Sequence, residues 1–295
     1  MKPAPFEYYA PSSIEEVLFH LAEYGYDAKP LAGGQSLIAM MNFRLAQPAV
    51  LVDMNNIPSL SYIRTNGDSG MVIGAMTRHH EVEQSDLVSQ YAPLIYETMP
   101  KVATPQIRSR GTFGGSIAHA DPAAELVAVS LALDCRFKLR SNRGERWVPA
   151  KDFFVGMFAT LLEPDEILVE TEIPAMPARS GWSIQEVARR PHDFAIAGVV
   201  AVLSLDKKER CQKVHIVCLS VGDGPVPALE AEKLLIGQVL DSEAIQSAAD
   251  LAATMDIDPG GDIHASADFR RHLVKVLTIR ALDEAYRRAG GKIND

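Results

Sequence analysis

Apolar residues recur at Ile14, Val17, Leu18 and Leu21, the spacing that lines one face of a helix, and the run stops at Gly25. Just upstream, Ser12-Ser13-Ile14-Glu15-Glu16 pairs a cap-type serine with a glutamate three positions on, so the pattern predicts a short helix with a defined start. Residues 29–32 read as a strand entering Gly33-Gly34-Gln35-Ser36. Residues 37–41 follow as a helix, and 49–54 as a buried strand. Together they predict a small βαβ-like unit over roughly residues 1–58.

Beyond Leu60 the pattern changes. Runs at 61–64 and 71–74 flank Asn66-Gly67-Asp68, a turn signal that predicts a hairpin. Helical stretches are expected around 79–89 and 93–102, then a Gly/Ser-rich loop at 104–116. A helix opened by Asp121-Pro122 should carry Leu126, Val129 and Leu133. Strands at 135–139 and 145–148 enclose Ser141-Asn142-Arg143-Gly144, and 166–173 closes the region as another strand. Pro174, Pro177 and Gly181 mark a boundary near residue 176. Strands at about 182–189, 194–205 and 213–221 then precede helices at about 229–236, 242–254 and 266–288. Strands followed by helices, unlike the alternating start, predict a separate α+β layer. The expected division is 1–176, with subdomains 1–58 and 59–176, and 177–295.

Composition narrows the function classes. In 295 residues, 47% hydrophobic, there is enough apolar surface for a large core. A formal charge of -9 leaves no basic footprint for nucleic acid or an anionic membrane, so small molecules or proteins are the expected partners. The first residues, Met1-Lys2-Pro3-Ala4-Pro5, lack the apolar core of a secretory signal and no run of 18 apolar residues occurs, so a cytoplasmic location is expected. Cys135, Cys211 and Cys218 form no C-x-x-C pair and read as buried, inert thiols; they cannot by themselves build an iron–sulfur or four-cysteine zinc site.

Two glycine-rich loops carry the candidate chemistry, Ala32-Gly33-Gly34-Gln35-Ser36 and Gly111-Thr112-Phe113-Gly114-Gly115-Ser116. Each can present bare backbone N–H groups to a diphosphate, and Ser36 or Thr112 can add a hydroxyl. The plainer reading of either loop alone is a tight turn. Neither matches G-x-G-x-x-G, and no G-x-x-x-x-G-K-[ST] occurs, so dinucleotide binding would need another architecture. Arg108 and Arg110 flank the second loop as candidate phosphate contacts. His79-His80-Glu81-Val82-Glu83 is not H-E-x-x-H, and adjacent histidines cannot face one ion from one helix side, so a capped surface helix is expected there. No serine nucleophile motif, carboxylate pair or catalytic cysteine setting stands out.

Three stretches in order, Pro30 to Leu37, Ile107 to Glu125 and Ala188 to Gly198, resemble the FAD-binding medium subunit of molybdenum hydroxylases, the carbon monoxide dehydrogenase and xanthine dehydrogenase family. The resemblance runs from Phe6 to about Leu282. It implies an α+β protein: an FAD-binding domain of p-cresol methylhydroxylase type, made of two α/β subdomains, and a C-terminal α+β domain like that of the carbon monoxide dehydrogenase flavoprotein. By position it implies that Ala32, Gly33, Gly34, Gln35, Ser36 and Leu37 face the FAD diphosphate together with Gly111, Thr112, Phe113, Gly114 and Gly115. Glu125 falls where the family often has an acid that accepts hydrogen bonds from the cofactor, Leu168 at a position packed near the flavin, and Phe194 close to the isoalloxazine ring; plain readings are a solvated charge for Glu125 and core packing for the other two. Gln185 stands where the nicotinamide-using branch has lysine, which argues against NAD as acceptor.

With Gln35 in the first loop and no cysteine near either loop, the resemblance implies non-covalent FAD. It further implies a large molybdopterin-binding subunit that oxidises substrate and a small subunit whose two [2Fe-2S] clusters pass electrons to FAD. From FAD they would go to a quinone, cytochrome, dioxygen or NAD, within a dimer of heterotrimers. Two alternatives stay open at this stage: a self-contained flavoprotein of the same superfamily, which would need its own proton donor near the ring, and a nucleotide-binding scaffold subunit without redox activity.

Overall fold

A computed structural model describes residues 2–67 and 70–292. In chain order the first elements are β1 (Glu7–Tyr9), α1 (Ile14–Tyr24), β2 (Ala28–Leu31), α2 (Leu37–Asn42) and β3 (Val50–Asp53). Ser13 caps α1, its hydroxyl accepting the Glu16 N–H at 3.2 Å, while the Glu16 carboxylate accepts the Ser12 N–H at 2.9 Å. The three strands form a parallel sheet in the order β1-β3-β2, with Val17, Leu18 and Leu21 of α1 in its core. The strands end where the first glycine loop begins, so that loop lies at the carboxyl end of a parallel sheet, a common place for a ligand.

The second unit contains β4 (Ile63–Thr65), β5 (Met71–Gly74), α3 (His79–Glu83), α4 (Asp86–Tyr91), α5 (Pro93–Thr98), α6 (Pro105–Arg108), α7 (Phe113–His119) and α8 (Glu125–Ala132). It continues through β6 (Arg136–Ser141), β7 (Gly144–Pro149), α9 (Ala150–Phe153), the short pair β8 (Phe154–Gly156) and β9 (Ala159–Thr160), and β10 (Ile167–Ile173). Among the described residues five of these strands make an antiparallel sheet in the order β4-β5-β10-β6-β7, and β8 pairs with β9 apart from it. The expected hairpin is present as β4 and β5; Asp68 of its turn lies outside the described residues.

Three expectations change here. The stretch 79–89 is broken at Gln84-Ser85, where the Ser85 hydroxyl accepts the Val88 N–H and starts α4 afresh. The Gly/Ser-rich segment 104–116 is largely helical, because Pro105 opens α6 and Thr112 caps α7 by accepting the Gly115 N–H at 3.1 Å. The helix expected from Asp121-Pro122 starts at Glu125, since the Asp121 carboxylate takes the Ala123 N–H at 2.9 Å and holds that dipeptide in a turn.

The last unit is β11 (Ser180–Ala188), β12 (Ala195–Leu205), β13 (Cys211–Leu219), β14 (Val226–Pro227), α10 (Leu229–Leu235), α11 (Ser242–Leu251) and α12 (Ala267–Arg288). Its antiparallel sheet runs β11-β12-β13-β14. On β12, Ala197, Val199, Ala201 and Leu203 pack with Leu277, Ala281 and Ala285 of α12, whereas Val200 joins the core shared with Leu126 and Val129 of α8. Helices cover both faces, which is why residues 195–205 are apolar almost throughout, Ser204 excepted. Cys135, Cys211 and Cys218 are free and buried. None of the described helices is long and apolar enough to cross a membrane.

Candidate functional site

The two glycine loops, 78 residues apart at Gly33 and Gly111, meet. A side chain on Gly33 would place its first carbon 2.3 Å from the Arg110 carbonyl oxygen and 2.8 Å from the Gly111 Cα, and one on Gly115 would sit 3.5 Å from the Ala32 Cβ. Backbone therefore lies directly on backbone at this junction, which only the absence of a side chain on Gly33 permits.

Their amides differ. Among the described residues the N–H groups of Gly33, Gly34, Gln35, Ser36 and Leu37 donate to no protein acceptor, while the Gln35 side-chain amide donates to the Gly33 carbonyl at 3.1 Å. Gly34 has φ 72°, the left-handed conformation that lets the chain turn within this run. Five successive donors without acceptors, on a half-buried loop with no room for a side chain at Gly33, suit an anion of diphosphate size. The second loop does not share the expected bare amides. Phe113 N–H donates to the Thr77 carbonyl and Gly114 N–H to the Ala75 carbonyl, both at 2.9 Å, and Gly111 N–H donates to the Ile107 carbonyl at 2.7 Å. Among Gly111 to Gly115, Thr112 alone keeps an N–H without a protein acceptor among the described residues. Gly114 lacks a side chain because Ala75 leaves no space: its Cβ would stand 2.4 Å from that of Ala75.

The remaining candidates are placed as follows. Glu125, the first residue of α8, is 8% exposed, so it is not a solvated charge. Burial, with Glu186 and Asp121 nearby, pushes its carboxyl up to about 7. Leu168 is buried on β10 in the central core, and β10 packs against α7. Phe194 precedes β12 with 73% of its surface exposed, too open for a core residue. Gln185 on β11 donates to the Glu284 carboxylate at 2.8 Å and to the Ser183 hydroxyl at 3.1 Å, which ties it to α12.

Arg108 is not a phosphate contact. It is buried, pairs with both oxygens of Glu83 at 2.8 and 3.1 Å, and donates to the Val102 and Ala103 carbonyls, so it braces the approach to the second loop. The Arg110 side chain is exposed. His79 is buried beneath that loop, its Nδ1 2.9 Å from where a Gly111 Cβ would stand, which corrects the expected surface helix on that face. Burial brings its imidazole down to about 4, so it is neutral near pH 7. No cluster of metal-ligating side chains occurs among the described residues.

Sequence reasoning missed Asn55 and Arg78. Asn55 Nδ2 donates to the Ala32 carbonyl at 2.9 Å and to Asp53 Oδ1 at 2.5 Å. Arg78 donates to Asn55 Oδ1 at 2.5 Å and, through its other terminal nitrogen, to the Arg110 carbonyl. Neither residue belongs to a recognisable motif, and their partners are distant in sequence.

Comparison with known proteins covers nearly the whole chain. The family profile of the FAD binding domain in molybdopterin dehydrogenase matches residues 4–176, and that of the CO dehydrogenase flavoprotein C-terminal domain matches residues 182–285. The 6-hydroxypseudooxynicotine dehydrogenase complex subunit alpha of Paenarthrobacter nicotinovorans is 42% identical over 289 residues, 98% of this chain and 97% of that protein. The carbon monoxide dehydrogenase medium chain of Hydrogenophaga pseudoflava is 38% identical over 98% of this chain and 99% of its own length. Among solved structures, carbon monoxide dehydrogenase from Hydrogenophaga pseudoflava lacking the Mo-pyranopterin moiety superposes with a TM-score of 0.94 at 40% identity, covering 98% of this chain and 99% of that one. Quinoline 2-oxidoreductase from Pseudomonas putida 86 gives 0.92 at 37% identity, with 98% and 99% covered.

Proposed function

Because the chain belongs to the FAD-binding medium subunits of the molybdenum hydroxylases, we propose that it holds FAD non-covalently and serves as the electron exit of a larger oxidoreductase. The observation that carries this is the contact between the two glycine loops, with five open amides on the first of them. In this reading Ala32 to Leu37 hold the diphosphate, and Gly111 to Gly115 form the opposing wall, to which Thr112 brings an N–H group. Glu125 accepts a hydrogen bond from the cofactor, Leu168 supplies an apolar backing, and Phe194 covers the ring. FAD held by these residues would supply the redox chemistry, that of accepting electrons from the [2Fe-2S] clusters of a small partner and releasing them to an external acceptor. The protein's residues bind and orient it and limit the access of water.

The partners are a large molybdopterin-binding subunit and a small iron–sulfur subunit, in a dimer of heterotrimers. The domain division falls near residue 176. Buried, unpaired thiols at Cys135, Cys211 and Cys218 are in keeping with a reducing cytoplasm. Gln185, held by Glu284, favours an acceptor other than NAD. The test is direct: the purified chain, stripped of flavin, should take up FAD at micromolar concentration and develop flavin absorbance, and acid precipitation should release all of it to the supernatant. Failure to take up FAD would remove the proposal, and yellow colour retained in the precipitate would remove its non-covalent part.

A further inference from the structure

The first loop follows β2 and the second leads from α6 into α7, and hydrogen bonding from two side chains joins them. Asn55, just beyond β3, reaches the Ala32 carbonyl of the first loop. Arg78, the residue before α3, reaches the Arg110 carbonyl beside the second. The two side chains then bond to each other at 2.5 Å. The set is anchored behind by Asp53, whose Oδ1 takes both the N–H and the side-chain amide of Asn55, and whose Oδ2 takes the Tyr8 hydroxyl at 2.5 Å.

The direction of these bonds matters for the open amides. In a trans peptide the C=O and the following N–H point opposite ways, and no cis peptide occurs among the described residues. Fixing the Ala32 carbonyl towards Asn55 therefore turns the Gly33 N–H away from Asn55, on the side where it meets no acceptor among the described residues. The Arg110 carbonyl is the same atom that leaves no room for a Cβ on Gly33. Arg78 thus holds in place the atom against which Gly33 rests. A planar guanidinium is suited to this, since it can donate to two acceptors at once in a fixed geometry.

We propose that Asn55 and Arg78 are positioning residues that clamp the first glycine loop to the second and pre-set its amides for the cofactor diphosphate. This rests on the flavin-site reading above. Pre-set donors bind more tightly because ordering them is not charged against binding. The experiment measures FAD dissociation from the full complex by the recovery of flavin fluorescence, alongside the melting temperature of each FAD-free chain, for Arg78→Met, Arg78→Lys, Asn55→Ala and the double variant, with Gly34→Val as control. Arg78→Met and Asn55→Ala should each weaken FAD binding about tenfold or more, as loss of a hydrogen bond involving a charged group does. Arg78→Lys should recover part of the loss. The double variant should be scarcely worse than either single one, because both break the same connection.

Unchanged dissociation in Arg78→Met and Asn55→Ala while Gly34→Val loses FAD would overturn the clamp and leave the flavin site standing. Retention of FAD by Gly34→Val as well would bring down both. A fall in affinity accompanied by an equal loss of stability in the FAD-free chain would also overturn the clamp, since a purely structural bond does the same. If Arg78→Met does not fold, Asn55→Ala decides by the same criteria.

Discussion

Replacing His215 with glutamine should remove a block of alkaline-sensitive stability. His215 on β13 lies across from Asp134, which follows α8, with Nε2 3.1 Å from the Asp134 carboxylate. Lys213 pairs with the same carboxylate, and Glu232 of α10 stands 3.8 Å from His215 Nδ1 while accepting the Ile216 N–H. The hydrogen bond to Asp134, followed by the nearby Glu232 carboxylate, pushes the imidazole up to about 9, and the same contact with His215 holds Asp134 well below the usual carboxylate range. A histidine whose folded value is raised contributes stability in full below its ordinary 6.5, and loses it as the pH rises through about 9. In full this would be worth about 3 kcal/mol. Asp134 is 44% exposed, so solvent screening leaves about 1–2 kcal/mol. The assay is the melting temperature of the full chain from pH 6 to 9.5. The native chain should lose roughly 2–4 °C more than His215→Gln or Asp134→Asn between pH 6.5 and 9.5. Parallel curves for all three would refute the reasoning, because the pair would then bind no extra proton in the folded state.

Three further outcomes follow from the site. The raised value of Glu125 means that the FAD-free chain loses stability as the pH rises from its ordinary 4.5 through about 7, and Glu125→Gln should abolish that loss in pH-dependent melts. If the cofactor donates to this carboxylate, FAD affinity in fluorescence titrations should rise across pH 6 to 8 in the native chain and stay flat in Glu125→Gln; equal slopes would exclude Glu125 from the contact. Gly34→Ala, strained by φ 72°, should lower FAD affinity with about 1 kcal/mol of stability cost, whereas Gly114→Ala, with its Cβ 2.4 Å from that of Ala75, should cost about 1–3 kcal/mol in the FAD-free chain by denaturant unfolding. Phe194→Ala should leave unfolding within about 0.5 kcal/mol of the native chain but shift the flavin absorption maxima, and an unchanged spectrum would deny it a place at the ring.

Much of the architecture was readable because local chemistry and global packing agree. The Ser13 and Glu16 pair caps α1 as the spacing predicts, and the apolar run at 195–205 is buried on both faces. Reading failed where a long-range contact overrides local preference. Glycines at 114 and 115 argue against a helix, yet α7 forms because Thr112 caps it and Gly114 must approach Ala75 closely. Arg108 looks like an anion contact until Glu83 and two carbonyls are found to occupy it. Asn55 and Arg78 left no signal at all, since hydrogen bonds to main-chain carbonyls 23 and 32 residues away impose no spacing rule.

The unequal roles of the two glycine loops bear on how such chains age over evolution. Gly111 and Gly114 are required by their neighbours His79 and Ala75 whether or not a nucleotide is ever bound, while the open amides of the 33–37 turn find no acceptor among the described residues. A descendant that abandoned its cofactor could let Gly34 drift for about 1 kcal/mol of backbone strain, yet Gly33, against the Arg110 carbonyl, and Gly114 would still have to stay. Survival of the second motif by itself therefore says that a fold has been inherited, and position 34 of the first is the one to inspect when asking whether an ancestral trade is still practised.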